Sequence, residues 1–443
     1  MPGAISKIAA IFLLVSIGLS CTIGFVSGDI TTDGWPVIFK VRDIDAWNIE
    51  FKRVQPAYGY AYVANTYTTS STAWMGLNEE GFGIVQSAAN NFTAGSSAEN
   101  GYFMTAALKN CATVEEFDSM VIATDPLTRY TLANYIVFDT SGSSAIYELN
   151  NDTHATYLPD TSGILVRANF ALIGNSERGG IERQERALAL LRHARDVDSL
   201  NAEWICRNLV TDLHRDGSDP YPLPFTGRFW EYPTGWMETD SLGRRTIAGR
   251  MTVAAGIITV PQGGDPALGH MYSYFAHPAT SVPFVMFPNS DDSPPYVTGE
   301  DSPMYELCRA KRDSAFSFPT DESLFDTWFL LDTIGNGVLT YKNPIEDWVF
   351  DTIRTVIAAG SPTSAALTTL QDTVTSRVYN WYRHGEITLG LNETPSLPES
   401  PTIHLHPNPF NSSVHIASSN NIPIDVYDTK GRHIDRIAPP TDW

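Results

Sequence analysis

Cys21 is the residue whose position suggests the clearest chemistry, because it directly follows an apolar run typical of a secretory signal. That run extends from Ile8 to Leu19 and is shorter than the ~20 residues of a membrane span. Cleavage between Ser20 and Cys21 would give a mature chain that begins with a thiol and a free α-amine on one residue. Such a residue carries a nucleophile together with its own base.

The reaction expected from this pair is acyl transfer through the sulfur. An α-amine has a pKa of ~7.7–8.0, so part of it is neutral at pH 7 and can accept the thiol proton. The thiolate then attacks an amide or thioester carbonyl and forms an acyl-enzyme, which water or a second amine releases. We therefore interpret the rest of the chain as the scaffold for this pair.

A strand–turn–strand pattern is predicted to position Cys21. Residues 22–27 favour a strand, residues 28–34 supply turn residues, and residues 35–41 resume the strand. Cys21 then lies at the tip of a hairpin whose return strand ends at Arg42 and Asp43. Because side chains alternate along a strand, Arg42 should point to the face opposite Asp43.

The composition excludes several classes of function. The chain has 443 residues, 43% of them hydrophobic, so it can form a large core with a further module. A net charge of -21 argues against binding to nucleic acid or to anionic membrane surfaces. Four cysteines in a chain of this length do not form a disulfide framework, and neither CxxC nor HExxH metal spacing occurs.

The rest of the chain alternates strand and helix patterns up to a Pro-rich linker. Strands are predicted over 58–67, 73–78, 82–86, 133–139, 144–149, 164–170, 246–260, 271–275 and 282–287. Helices are predicted over 103–111, 114–124, 183–195, 201–214, 303–313, 344–359 and 364–384. The predicted organisation is a signal peptide (1–20), a catalytic domain (21–390), a linker (391–402) and a small β module (403–443).

Several short motifs resemble, in the same order, those of N-terminal nucleophile (Ntn) hydrolases. They are Cys21-Thr22, the Gly34-x-Pro36 turn, Lys40-Val-Arg-Asp43, Gly76-Leu-Asn-Glu-Glu-Gly-Phe-Gly83, Val166-Arg-Ala-Asn-Phe170 and Arg183-Gln-Glu-Arg-Ala187. The pattern is most similar to the acyl-coenzyme A:6-aminopenicillanate acyltransferase group, related to penicillin V acylase and bile salt (choloylglycine) hydrolase. The resemblance covers roughly residues 21–390.

The resemblance implies a fold and an activity. The expected fold is α+β, a four-layer αββα sandwich of two antiparallel sheets with helices on both outer faces. The expected activity is hydrolysis, or acyl transfer, at a linear non-peptide amide of a small molecule, without a metal or an organic cofactor. Self-association into a homo-oligomer is a further expectation from relatives.

The resemblance also assigns roles to four residues. Cys21 is the nucleophile, and Asp43 holds the α-amine in place. Asn169 supplies the second oxyanion donor, and Arg183 lies near the thiol, where a cation stabilises a thiolate. Lys40 stands three residues before the aspartate, where bile salt hydrolases have an arginine; lysine supplies charge but not a bidentate fork.

The first oxyanion donor remains open between two residues. Acyl chemistry needs N–H groups directed at the developing negative oxygen. Asn90 and Asn91 follow the strand predicted over 82–86, and counting from Gly81 does not decide between them. Gln86 is a further candidate.

The C-terminal residues resemble the sorting or anchoring module of bacterial secreted proteins. The resemblance lies in His406-Pro-Asn-Pro-Phe-Asn411 and Val426-Tyr-Asp-Thr-Lys-Gly-Arg432, and the module is expected to be partial. We therefore expect a bacterial protein that is secreted, periplasmic or on the cell surface. Its expected partners are signal peptidase and the secretion machinery.

Two alternatives to the Ntn mechanism concern the cysteines. Bacterial lipoproteins are anchored at a cysteine after the signal, which blocks the amine and would make the chain a surface binding protein on an inactive Ntn scaffold. Leu19 fits that signal poorly, because leucine usually stands three residues before the lipidated cysteine. A papain-like use of Cys206 or Cys308 would need a nearby histidine, and no local signature supports it.

Overall fold

The computed structural model describes residues 20–44, 46, 48–213, 236–238, 246–299, 302–316, 324–330, 336–360 and 362–384, and four short strands after residue 402. The chain forms two compact units, Met1–Ile387 and Thr388–Trp443. Three predicted features lie outside the described residues: the signal peptide up to residue 19, the last residue (His214) of the helix predicted over 201–214, and the linker.

The strands of the first unit are, in chain order, β1 (Thr22–Val26), β2 (Val37–Asp43), β3 (Ile49–Val54), β4 (Tyr62–Tyr67), β5 (Met75–Asn78), β6 (Gly83–Ala88), β7 (Ala133–Phe138), β8 (Ser144–Leu149), β9 (His154–Tyr157), β10 (Ile164–Arg167), β11 (Trp236–Glu238), β12 (Thr252–Thr259), β13 (His270–Phe275), β14 (Phe284–Met286) and β15 (Leu324–Asp326). The helices are α1 (Asn100–Asn110), α2 (Val114–Thr124), α3 (Ile181–Asp196), α4 (Ala202–Trp204), α5 (Pro303–Ala315), α6 (Thr327–Leu330), α7 (Val338–Ala358) and α8 (Ser364–His384).

Two antiparallel sheets form the centre of this unit. The first sheet has the strand order β10-β1-β2-β12-β13-β14, and the second runs β3-β4-β5-β6-β7-β8-β9. Strands β2 and β12 are buried along their whole length, and their mostly apolar sequences suit a position covered on both faces. The core between the sheets combines residues from both, such as Ile38 with Met75 and Val85.

Helices cover both outer faces. Helix α1 packs on β5 and β6, whereas α3, α5 and α8 pack on the first sheet. A second apolar cluster under α1 and α2 contains Phe103, Phe117 and Tyr135. The predicted α+β class, with two antiparallel sheets between helices, is confirmed.

Local sequence signals predicted the bounds of some helices correctly and missed those of others. Helix α2 has the predicted bounds, and Thr113 and Glu116 form a capping box at its start. The helix predicted over 344–359 begins earlier, at Val338, so Pro344 lies inside α7. The helix predicted from residue 201 is a short α4 that continues as a π-helical turn over Ile205–Leu209.

The second unit contains two antiparallel strand pairs among its described residues. Strand β16 (Ile403–His406) pairs with β17 (His415–Ser418), and β18 (Ile424–Tyr427) pairs with β19 (His433–Ile437). Strand pairs of this size are marginal in isolation.

Within the described part of the chain, no helix combines the length and the apolar character needed to cross a membrane.

Candidate active site

Cys21 lies immediately before β1 and is 5% exposed. Strand β1 pairs with β2 so that Thr22 is opposite Val41 and Ile23 is opposite Lys40. Continuing this register by one residue places Cys21 across from Arg42, at the open end of the hairpin. The structure therefore brings the end of β2 next to the proposed nucleophile.

Asp43 is held at the same end of the sheet by strand β12. The register pairs Asp43 with Thr252, whose hydroxyl donates to Asp43 Oδ1 at 2.6 Å. The other oxygen, Oδ2, is buried and has no hydrogen bond among the described residues; Arg183 Nη1 lies 4.0 Å away. Burial raises the pKa of Asp43 to about 7, and Arg183, Thr252 and Lys40 oppose that rise.

Arg183, in the first turn of α3, connects the parts of the site. Its Nη1 donates to the Ser20 carbonyl oxygen and, at 3.4 Å, to Thr22 Oγ1. Its Nη2 donates to Asn169 Oδ1 at 2.7 Å. Gly180 precedes α3 with φ +84°, and a Cβ there would lie 2.3 Å from Arg183 Nη2. A glycine is therefore required for both the turn and the arginine.

Asn169 is buried just beyond β10 and is oriented through three contacts. It accepts from Arg183, its Nδ2 donates to the Ala88 carbonyl at 3.0 Å, and its own carbonyl accepts from Asn90 N at 2.9 Å. This leaves one Nδ2 hydrogen without a partner among the described residues. An N–H of this kind can stabilise an oxyanion.

The two candidates for the first oxyanion donor have different surroundings. Asn90 is exposed, and its backbone N–H bonds to Asn169. Asn91 is buried; its Nδ2 donates to the carbonyls of Ala171 and Asn175, both at 2.9 Å, and its Oδ1 accepts from Ala171 N at 2.8 Å. Both Nδ2 hydrogens of Asn91 are thus used in holding the loop after Asn169. The choice of first donor stays a prediction.

Gln86, the further candidate, lies on the outer face of its sheet. Ile84 of the same strand packs in the apolar cluster under α1, and alternation places Gln86 on that side. Val85, by contrast, packs in the core between the sheets.

Two site-supporting residues were not predicted from the sequence. Ser87 Oγ donates to the Ala168 carbonyl at 2.6 Å, and Asn134 Nδ2 lies 3.2 Å from that carbonyl and 3.1 Å from the Phe170 carbonyl. These hydrogen bonds connect the backbone on both sides of Asn169 to the second sheet. The available signal was a polar residue interrupting each of two buried strands.

Two buried cations share the face of β2 that meets the second sheet. Lys40 Nζ donates to the Trp74 carbonyl at 2.8 Å, and Arg42 Nη1 donates to Asn65 Oδ1 at 2.6 Å. The pKa of Lys40 is lowered to about 8, chiefly by burial; Cys21 opposes the change, and the neighbouring Arg42 adds to it. Positive charge beside a cysteine favours its thiolate.

The other candidate thiols lie in surroundings that keep them protonated. Burial raises the pKa of Cys206 well above its usual value and that of Cys308 to about 12. The buried His270 and His277 have pKa values lowered by burial to about 4 and about 3. The structure thus gives no support to a papain-like pair.

Among the residues described, no three His, Cys, Asp or Glu side chains are grouped closely enough to hold a metal ion.

The C-terminal residues match a known protein family. Residues 404–439 match the family described as secretion system C-terminal sorting domain. The chain carries a secretion sorting domain. The sorting module predicted from the sequence is therefore confirmed, and it supports a secreted or cell-surface location. No curated protein matches the chain.

Three solved structures illustrate what the chain is similar to. A mutant of the conjugated bile acid hydrolase from Clostridium perfringens shares 13% identity, with 60% of this chain and 92% of that chain covered and a TM-score of 0.39. A Caenorhabditis elegans N-acylethanolamine-hydrolyzing acid amidase ortholog shares 15% identity, with coverage of 56% and 93% and a TM-score of 0.33. Penicillin V acylase from Agrobacterium tumefaciens shares 14% identity, with coverage of 60% and 84% and a TM-score of 0.31.

Proposed function

We propose that the first unit is an N-terminal-cysteine amidohydrolase that cleaves a linear, non-peptide acyl amide. Cleavage between Ser20 and Cys21 would create the nucleophile and its base together. The product of the first step is a thioester on Cys21, which water hydrolyses to a carboxylic acid.

The observation that carries the proposal is the oxygen Oδ2 of Asp43, which accepts no hydrogen bond from a described residue. Oδ2 is buried without a hydrogen bond, 4.0 Å from Arg183 Nη1. The same Nη1 atom binds the carbonyl of Ser20, which belongs to the peptide bond to be cut. One guanidinium nitrogen therefore lies beside both Asp43 Oδ2 and the Ser20 carbonyl, and in this proposal the α-ammonium of Cys21 pairs with Oδ2.

Each step can be assigned to groups of the site. The α-amine takes the proton from Cys21 Sγ. The thiolate then forms a bond to the amide carbon, while one electron pair of the C=O bond moves to the oxygen. In this proposal the second Nδ2 hydrogen of Asn169, which has no partner among the described residues, binds that oxygen. Collapse of this tetrahedral intermediate breaks the C–N bond, and the α-ammonium returns the proton to the leaving amine. Water then attacks the thioester with the α-amine as base.

Hydrolysis is proposed rather than transfer to coenzyme A, because an exported enzyme rarely meets that carrier. The similar solved structures are named for conjugated bile acids, N-acylethanolamines and penicillin V. These compounds define a starting panel of acyl amides.

The test compares two mature chains that differ in whether the nitrogen of Cys21 is a free amine or part of a peptide bond. One begins at Cys21, and the matched control carries one added glycine before Cys21; Ser20 is buried at that place, so the fold accommodates a residue there. We expect amide turnover by the first chain and at least ~100-fold less by the second, because general base catalysis is removed. Equal turnover by the two chains, with the extra glycine confirmed by mass, would contradict the proposal.

A further inference from the structure

Glu148 of β8 is a fully buried carboxylate on the face of the second sheet that meets the first sheet. Ile146, two residues earlier on the same strand, packs in the core between the sheets, whereas Tyr147 and Leu149 pack in the cluster under α1 and α2. Because side chains alternate along a strand, Glu148 shares the face of Ile146. A carboxylate in such a place needs partners that satisfy both of its oxygens.

The two oxygens of Glu148 hold the chain on both sides of Asn169. Oε1 accepts from Arg167 Nε at 2.9 Å, and Oε2 accepts from the backbone N–H of Ile173 at 3.0 Å. Arg167 is the last residue of β10, and its guanidinium lies 5.4 Å from the Tyr157 ring centroid in β9. One side chain of the second sheet thus binds a residue before Asn169 and a residue after it.

Asn169 lies opposite the proposed nucleophile. Strand β1 pairs with β10 so that Ile23 is opposite Arg167, and continuing this register by two residues places Cys21 across from Asn169. Cross-strand neighbours project to the same face of a sheet, so the orientation of the Asn169 amide decides whether its remaining N–H faces the thiol. Since β10 ends at Arg167, strand pairing does not fix the backbone of Asn169.

Stability alone does not explain the buried ion pair between Glu148 and Arg167. Exchanging a buried ion pair for apolar side chains of similar volume is often neutral or stabilising, because both charges lose their hydration in the interior. A buried pair can instead specify one arrangement of the groups that it holds. Here that arrangement is the placement of the segment with Asn169 against the second sheet.

We propose that Glu148 is a positioning residue that orients the Asn169 amide toward the acyl carbonyl of the substrate, acting through Arg167 and Ile173. The inference rests on the proposed amidase function and adds to it a residue of the second sheet. An oxyanion donor acts chiefly in the transition state, and a small displacement of it lowers the rate strongly. Loss of Glu148 should therefore lower kcat and leave KM nearly unchanged.

The test exchanges the whole ion pair, because Glu148→Gln alone would leave the buried charge of Arg167 unbalanced. In the chain that begins at Cys21, the double variant Glu148→Leu, Arg167→Met should unfold at a midpoint close to that of wild type. We expect its kcat to fall at least ~10-fold, with KM within ~3-fold of wild type. The matched control is Lys342→Met with Glu346→Leu, which exchanges a buried ion pair of α7 and should keep both kcat and KM.

A double-mutant cycle with Asn169→Ala separates positioning from a general structural effect. If Glu148 acts through Asn169, the apolar exchange at 148 and 167 should change kcat by less than ~2-fold in the Asn169→Ala background, because the donor is already absent. An equal loss of kcat with and without Asn169 would overturn the proposal. Wild-type kcat in the Glu148→Leu, Arg167→Met variant would also overturn it.

A second readout does not depend on turnover. In Cys21→Ala chains labelled isotopically at asparagine, NMR measures how fast the Asn169 side-chain amide hydrogens exchange with water, and the Asn169 signal is identified by its absence from Asn169→Ala. The apolar exchange at 148 and 167 should speed this exchange at least ~10-fold. Asn78, whose amide donates to the Leu108 and Cys111 carbonyls, should keep its rate.

This readout separates the positioning role from the proposed function. If wild type turns over no amide, faster exchange at Asn169 would support the positioning role while the amidase function fails. Unchanged exchange at Asn169 would overturn the positioning role whether or not amides are turned over.

Discussion

Replacing Cys21 with alanine is expected to lower kcat/KM for acyl amides by ~10³-fold or more, because the nucleophile is removed. Cys21→Ser is also expected to lose turnover, since the α-amine is too weak a base to ionise a hydroxyl effectively. Both substitutions are small, and the buried position before β1 should remain filled in Cys21→Ser. Turnover is measured on chains that begin at position 21, with the unfolding midpoint recorded for each.

Cys111→Ala is the matched control for this experiment. Cys111 is buried in the apolar cluster under α1 and α2, away from the site residues. Its loss should change the unfolding midpoint slightly and leave kcat/KM within a few-fold of wild type. Retained turnover in Cys21→Ala would exclude the Ntn mechanism and return attention to Cys206 and Cys308.

Asp43→Asn is expected to reduce kcat/KM by ~10²–10⁴-fold while changing how stability depends on pH. The amide cannot supply the anion that orients the α-ammonium and raises its basicity. The stability effect is measured in the chain that retains Ser20, where no ammonium neutralises the carboxylate. In that chain burial raises the pKa of Asp43 to about 7.

The sign of the stability effect follows from linkage. The folded state binds the Asp43 proton more tightly than the unfolded chain, whose carboxyl has a pKa of ~3.9. The contribution of Asp43 to stability is therefore complete below that pH and is lost as the pH rises through about 7. Asn remains neutral, so Asp43→Asn should gain up to about 4 kcal/mol relative to wild type between pH 4 and pH 7.

Urea unfolding at both pH values checks this expectation. Asp152→Asn, at an exposed carboxylate, is the matched control and should follow the wild-type pH dependence. A parallel pH dependence in wild type and Asp43→Asn would show that the folded state does not hold the Asp43 proton.

Local sequence signals were sufficient to predict the hairpin and the nearness of its two ends, Cys21 and Asp43. The β-leaning segments around residues 28–34 predicted β1 and β2, and the end of β2 placed Asp43 near Cys21. Alternation also predicted that Arg42 and Asp43 face opposite sides, as their partners Asn65 and Thr252 show. These inferences depend only on residues that are close together in the chain.

Features that depend on residues far apart in the chain could not be predicted from local sequence signals. Strand β9 is short and only partly buried, so its sequence lacks a clear apolar alternation. The tethers from Ser87 and Asn134 to residues around Asn169 cross between sheets. The use of both Asn91 hydrogens by the loop at residues 171–175 likewise depends on tertiary contacts. Sequence spacing contains no direct information on such pairings.

The most direct test of the proposed function is the mass of the N-terminal peptide of the chain exported by a bacterial host with the matching secretion system. We expect a chain that begins with an unmodified Cys21, so that thiol and α-amine are present together. A lipid-modified Cys21, or a mature chain that begins at another residue, would remove the base and contradict the proposed enzyme. A lipid-modified cysteine would instead favour a surface-anchored binding protein.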